Sequence, residues 1–285
     1  MNTNKTIAFV FGVLCFGLGQ LFAQTNIQGK VYYESKTTVD MSRFRNNDMP
    51  EEFKKRMEER MRKMNEKNYT LIFNQAESFY TEEEQKEESG RRWGPPMMSE
   101  IVKGPQYRNV KEGLMLQEQE LVGKKFLITD SLPSLDWKMS GETKQIGDYM
   151  CFKATATKTV PNFEGRRFGP PRDSQDGNEE KTGDKPLTKD IEIEAWYTLQ
   201  IPINQGPGDY WGLPGLILEV VADNTTIVCS KIEINPDVKN EIIKPSKGKK
   251  VTQKAYNAIL RKKMEEIRAQ NNSGDNRMGP PPGGF

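Results

Sequence analysis

Histidine does not occur anywhere in these 285 residues. Its absence excludes Ser-His and Cys-His nucleophile pairs, imidazole general bases and histidine-rich zinc sites. Carboxylate or lysine chemistry survives the exclusion. Cysteine is scarce at three, and hydrophobic residues reach only 35% against 29% charged, so much of the chain must be solvated surface or unstructured. Neither sign of charge prevails. With 42 basic and 40 acidic side chains, the overall balance argues against nucleic acid as a partner.

Long apolar runs are also few, and the longest lies at the start. Lys5 precedes an apolar stretch over residues 7–18, followed by Leu21-Phe22-Ala23. A membrane-spanning helix needs about twenty apolar residues, whereas Gly12, Gly17, Gly19 and Gln20 interrupt this one. A charged start, an apolar segment and a small residue at the end read as a secretory signal over residues 1–23, cleaved after Ala23 to leave Gln24. Cys15 lies inside the apolar stretch, in the wrong context for a lipid-modified cysteine. The expectation is an exported chain, soluble in the periplasm or beyond, with no integral membrane segment once the signal is removed.

Residues 24–270 read as a single β-rich domain. Val31-Tyr32-Tyr33 opens a strand, and a helix follows in which Phe53, Met57, Met61 and Met64 recur at helical spacing behind an Asp48/Glu51 capping pattern. Strands are then expected on both sides of a turn at residues 74–77, and at 106–111, 114–121, 124–129, 149–158, 190–200, 216–221 and 226–234. Asp223-Asn224 supplies the last turn. A second helix is expected over about 252–270, with Tyr256, Ile259, Leu260, Met264 and Ile267 on one face. Many strands with few helices between them imply a mainly β fold: a single curved antiparallel sheet or half-barrel with two packed helices.

Two stretches, residues 82–105 and 161–187, read as Gly/Pro-rich insertions, and residues 271–285 as a disordered tail. The insertions carry Gly90-Arg91-Arg92-Trp93-Gly94-Pro95-Pro96 and Gly165-Arg166-Arg167-Phe168-Gly169-Pro170-Pro171, with an echo at Arg277-Met278-Gly279-Pro280-Pro281. Flexible padding and a basic-aromatic docking tag both fit that pattern.

The most distinctive run is Gly212-Leu213-Pro214-Gly215-Leu216-Ile217. It ends a segment that starts at Ala195-Trp196-Tyr197-Thr198 and passes through Gly206-Pro207-Gly208 and Trp211. Together with Leu135-Asp136-Trp137-Lys138 and Lys144-Gln145-Ile146-Gly147-Asp148-Tyr149-Met150-Cys151-Phe152-Lys153-Ala154, it resembles the GLPGLI family over about residues 135–221, apart from the insertion. That family consists of secreted bacterial proteins named for the hexapeptide and without an established activity. Asp148 departs from its pattern by separating Gly147 from Tyr149.

Read physically, Pro214-Gly215 suits the centre of a type II turn with positive φ at Gly215. Residues 216–221 suit a strand covered on both faces. Along residues 191–201, Ile191, Ile193, Ala195, Tyr197, Leu199 and Ile201 alternate with a more polar set containing Trp196. Trp196, Tyr210 and Trp211 either line a ligand cleft or plug the open end of the sheet.

Cys151 and Cys229 are the pair left after the signal. Parity places both on the more polar sides of their strands, where a disulfide between neighbouring strands is expected in an exported protein. Met57, Met61 and Met64 allow Cu(I) binding or ordinary core packing. The carboxylates, including Glu82-Glu83-Glu84, form no paired acid/base signature, and Asp130-Ser131-Leu132 resembles a short O-glycosylation acceptor. No cofactor is called for. The leading functional expectation is an exported, non-catalytic envelope protein that offers an apolar sheet surface or cleft to a lipid-like ligand, a peptide or an outer-membrane protein. A carboxylate-dependent hydrolase and methionine-based copper handling are the alternatives.

Overall fold

A computed structural model describes residues 27–38, 50–83, 101–161, 188–236 and 241–274. The expected signal, both Arg-Arg-aromatic repeats and the tail lie outside the described residues.

The strands are β1 (Gly29–Thr37), β2 (Glu66–Phe73), β3 (Glu77–Glu82), β4 (Ile101–Asn109), β5 (Leu114–Leu121) and β6 (Lys124–Ser131). They continue with β7 (Lys138–Ile146), β8 (Tyr149–Pro161), β9 (Thr188–Thr198), β10 (Leu216–Ala222), β11 (Thr225–Ile234) and β12 (Lys249–Val251). The helices are α1 (Glu51–Asn65) and α2 (Gln253–Gly274). All twelve strands form one sheet in the order β12-β6-β5-β4-β3-β2-β1-β11-β10-β9-β8-β7. Every pairing is antiparallel except that of β12 with β6. The mainly β, single-sheet architecture expected from the strand pattern is the one observed.

Topology explains why the sheet curls. β2–β6 and β7–β11 are two meanders on either side of β1, so the chain must cross from β6 to β7, at opposite ends of the order. Only residues 132–137 make that crossing. Seven extended steps reach about 25 Å at most. Ten strand spacings laid flat would measure about 48 Å. A flat sheet is impossible with this connection. One carboxylate records the same closure: Asp209 accepts from Gln106 of β4 at 3.1 Å and from Lys158 of β8 at 2.9 Å. In the sheet order those strands stand seven places apart.

The buried residues form four clusters. One gathers Val31, Tyr33, Leu71, Phe73, Cys151, Trp196, Leu216 and Leu218, and a second gathers Ala154, Ile193, Ala195, Tyr197, Leu213, Ile217 and Val220. β10 contributes to both, as its nearly continuous apolar sequence requires. The smaller clusters centre on Met115, Phe126, Ile128 and Tyr256, and on Tyr107, Leu116 and Leu127.

The helices pack less than their apolar stripes suggest. α1 starts at Pro50 without a side-chain cap and runs straight into β2. Phe53 on its stripe is 56% exposed. α2 is anchored through Tyr256, whose ring lies edge-on to Phe126 at 5.5 Å. β7 was not legible as a strand, because Lys138–Ile146 is an almost wholly exposed edge with no apolar alternation. β4 already begins at Ile101, inside the stretch that its Gly and Pro content marks as an insertion.

Candidate functional site

The loop over residues 199–215, between β9 and β10, connects elements that the sheet order holds apart. Its own backbone fixes its shape: Tyr210 donates to the carbonyl of Pro207 at 3.0 Å and Gly212 to that of Asn204 at 3.2 Å. Leu216 and Ile217, at the start of β10, donate back to Ile201 at 3.0 Å and Gln205 at 3.1 Å. The loop is a folded unit, not a free tether.

Arg108 of β4 holds it from one side. This side chain is 2% exposed and donates to the carbonyl of Gly208 and, at 3.4 Å, to Oε1 of Gln205. Its guanidinium also lies 5.9 Å from the Trp211 ring centroid. Burial lowers its pKa to about 10, offset in part by Asp209, so the group stays cationic at neutral pH. Gln205 is fully buried, and its Nε2 has no acceptor. On the other side, the crossover is stapled twice: Trp211 donates to Pro133 at 2.7 Å and Trp137 donates to Trp211 at 2.8 Å. From β1, the Tyr33 hydroxyl donates to the Ile217 carbonyl at 2.7 Å.

Within the hexapeptide the two glycines have different reasons, and neither is the expected one. Gly212 carries the positive φ, +93°. Gly215 does not occupy the left-handed region, so the anticipated type II turn with positive φ at Gly215 is absent. Gly215 is required by proximity instead. A Cβ there would sit 2.0 Å from the Thr198 carbonyl oxygen and 2.6 Å from its carbon. The bulge in the β9–β10 pairing, between Ile217 and Glu219, belongs to the same junction. Leu213, Leu216 and Ile217 are fully buried while Pro214 is exposed.

The three aromatic residues expected to line a cleft or form a plug have different surroundings. Trp196 is 6% exposed and packs in the cluster of Tyr33 and Leu218, with Lys144 at 4.3 Å over its ring. It does not belong to an open polar face. Tyr210 packs against the cluster of Ala195 and Ile217. Trp211 is half-buried beside Arg108. What sequence reasoning missed is Arg108, which lies between strand residues with no motif around it. A lone arginine in an otherwise ordinary strand was the only signal available.

The expected disulfide is not formed: Cys151 and Cys229 are free thiols. Their strands, β8 and β11, are not neighbours in the sheet order; both residues nonetheless border one cluster, in which Cys151 is fully buried despite sharing parity with Lys153. Burial pushes the Cys151 thiol up to about 11 and the Cys229 thiol up to about 12. Native protein should therefore alkylate very slowly at pH 8 at both positions, and fast once unfolded, as read by peptide mass spectrometry without reductant. Rapid native labelling at Cys151 would contradict this burial. Because both folded pKa values lie above the ordinary thiol value, the unfolded chain deprotonates first. Stability should decline as pH rises from about 9.

Among the described residues no group of three or more Cys, Asp or Glu could hold a metal ion. Of the methionine stripe only Met61 has a described side chain, half-buried; those of Met57 and Met64 lie outside the described residues. Two shallow concavities stand out. One of about 190 Å³ lies between α1 and the end of β1, and one of about 480 Å³ is lined by Lys153, Lys189, Asp190, Glu192, Glu194 and Asp223, with others. No described helix is long and apolar enough to cross a membrane.

No curated protein matches this chain. Two solved structures of PNGF-II, in C2 and P21 space groups, are similar at TM-score 0.47 and 13% identity, covering 82% and 83% of this chain. The chain spans about a third of their length, 32% and 33%. A family model described as a protein of unknown function, Porph_ging, matches residues 137–219, from the crossover tryptophan through the folded loop into β10.

Proposed function

We propose that this chain is an exported, non-catalytic envelope protein of the GLPGLI type, which uses its sheet surface to hold a protein partner. One observation carries the reading. Met139 of β7 and Met150 of β8 are 62% and 49% exposed, and Leu199, just after β9, is 48% exposed. Met139 stands opposite Ala154, and Met150 lies on the face of Phe152 and Ala154 by strand alternation. Single exposed apolar residues need no explanation, but several at one corner beside an unpaired edge strand make a contact surface. Methionine adapts well to such a role. The bulge between Met139 and Thr143 and the flanking Lys138 and Lys144 guard β7 against indiscriminate strand pairing.

Two further observations favour binding over turnover or lipid carriage. Among the described residues, every carboxylate with a shifted pKa is shifted down: Glu77 by hydrogen bonds from Tyr107 and Asn74, Glu194 by Lys153, Glu233 by Lys231. A general acid for hydrolysis at neutral pH needs the opposite. The larger concavity is lined mainly by charged side chains, unlike the apolar enclosure an acyl chain needs.

A photo-crosslinker placed at Leu199, the third exposed residue of this corner, in the native host tests the reading. A discrete adduct is expected, lost in the Met139→Lys/Met150→Lys variant while the melting temperature stays within about 2 °C. An adduct unaffected by the double substitution, or none at all, would sink it. N-terminal sequencing of the fractionated protein should find Gln24 first.

A further inference from the structure

The opposite edge of the sheet is a different surface. Residues 241–263 contain eight basic side chains and one acidic, although the whole chain carries only +2. β12 lays part of this run beside β6, with Lys249 opposite Phe126 and Lys250 opposite Leu127. Gly248, at φ +112°, lets the chain turn against the backbone of Lys125 and Phe126, where a Cβ would come within 2.8–2.9 Å. Lys124, Lys125, Lys247, Lys249, Lys250 and Lys254 thus gather along one edge, all exposed, and among the described residues none has a carboxylate within 4 Å. Glu120 opposite Lys125 in the β5–β6 register, and Glu118, which accepts the Lys247 backbone N–H at 3.2 Å, temper the charge without cancelling it.

The β5–β6 hairpin tip sits within this cluster and breaks the rule for its turn. Val122 and Gly123 have φ of +51° and +72°, the pattern of a two-residue turn that favours Asn-Gly or Asp-Gly. A β-branched residue at positive φ is a genuine outlier. In the β10–β11 hairpin the positive φ, +53°, falls on Asp223, a residue type that tolerates it. Val122 is 40% exposed at this tip. Strain kept to display an apolar side chain at a tip, next to paired lysines, points to a role outside the fold.

We propose that this edge docks on an anionic lipid bilayer surface, with Val122 entering the interface and the lysines facing headgroup phosphates. The chemistry favours lipid over an acidic polypeptide. Seven of the eight basic residues in 241–263 are lysine, flexible point charges suited to a diffuse anionic plane, where arginine would suit bidentate recognition. The edge is no groove: neither concavity includes it. An apolar tip beside a basic patch supplies the two signals that peripheral membrane binding needs. The inference uses residues distinct from the Met139 corner and stands or falls separately from it.

Co-sedimentation of the full protein with vesicles of phosphatidylcholine, alone or with phosphatidylglycerol, tests the proposal. Binding is expected only with phosphatidylglycerol, and to be lost at high salt. Replacing Lys124, Lys125, Lys249 and Lys250 by glutamine should weaken it by about 100-fold. The decisive variant is Val122→Asn. It should raise the melting temperature by about 2–4 °C, by relieving the turn, while weakening vesicle binding by about tenfold. Equal binding to both vesicle types would overturn the proposal. So would vesicle binding unchanged by Val122→Asn, or tight binding to poly-glutamate that follows the lysines and ignores residue 122, which would assign the edge to an acidic polypeptide.

Discussion

Gly215→Ala should destabilise the protein by about 3 kcal/mol or more, a large effect for one methyl group. The added Cβ would lie 2.0 Å from the Thr198 carbonyl oxygen and 3.2 Å from the Leu199 nitrogen. Both are backbone atoms at the end of β9, so no rotamer change relieves the overlap. Relief would require β9 and β10 to part where Leu216 pairs with Thr198. Gly212→Ala supplies the contrast. That position has the positive φ, +93°, but its nearest neighbour to a new Cβ is Trp137 Nε1 at 3.9 Å. Only backbone strain is incurred there, about 1–2 kcal/mol. Urea titration should rank Gly215→Ala well below Gly212→Ala. The reverse order would mean that the hexapeptide is a flexible turn and not a close-packed junction.

Arg108→Ala should cost about 3–5 kcal/mol. The loss strands the Gly208 carbonyl and removes the Arg108 donor from the buried Gln205 Oε1. It also leaves the Trp211 ring without the cation at 5.9 Å. Arg108→Lys should recover little, because one ammonium cannot reproduce the planar fork that serves two partners. A shift of the denaturation midpoint at unchanged slope is the expected signature. A change under about 0.5 kcal/mol would place Arg108 among ordinary surface charges.

These predictions mark where the sequence was legible. Strand alternation and turn chemistry were sufficient for most of the sheet: Asn74 accepts from the backbone N–H groups of Ala76 and Glu77, as a turn at 74–77 requires, and Asp223-Asn224 closes β10 onto β11. The nearly continuous apolar run of β10 correctly announced a strand covered on both faces. β7 was invisible because an exposed edge has no buried face to impose a period. Gly215 was misread because steric proximity to the paired end of β9, remote in sequence, leaves no local trace, whereas a φ requirement does. The cysteines were misread for a related reason. Parity along single strands says nothing about strand order: β9 and β10 stand between the two strands, so the cysteines are not cross-strand neighbours, and they border one cluster without pairing. Arg108 and Asp209 became recognisable only once the curl brought β4 and β8 onto one loop.

The central claim is that the 199–215 loop is a clamp across a curled sheet and not a lid. Native-state hydrogen exchange at the Leu216 and Ile217 amides, which donate to Ile201 and Gln205 across that loop, tests it most directly. A clamp should release these amides only with global unfolding, at the same free energy as the buried Ile193 and Ala195 amides of β9. Exchange through a local opening several kcal/mol cheaper than global unfolding would contradict the clamp and make the loop a gate.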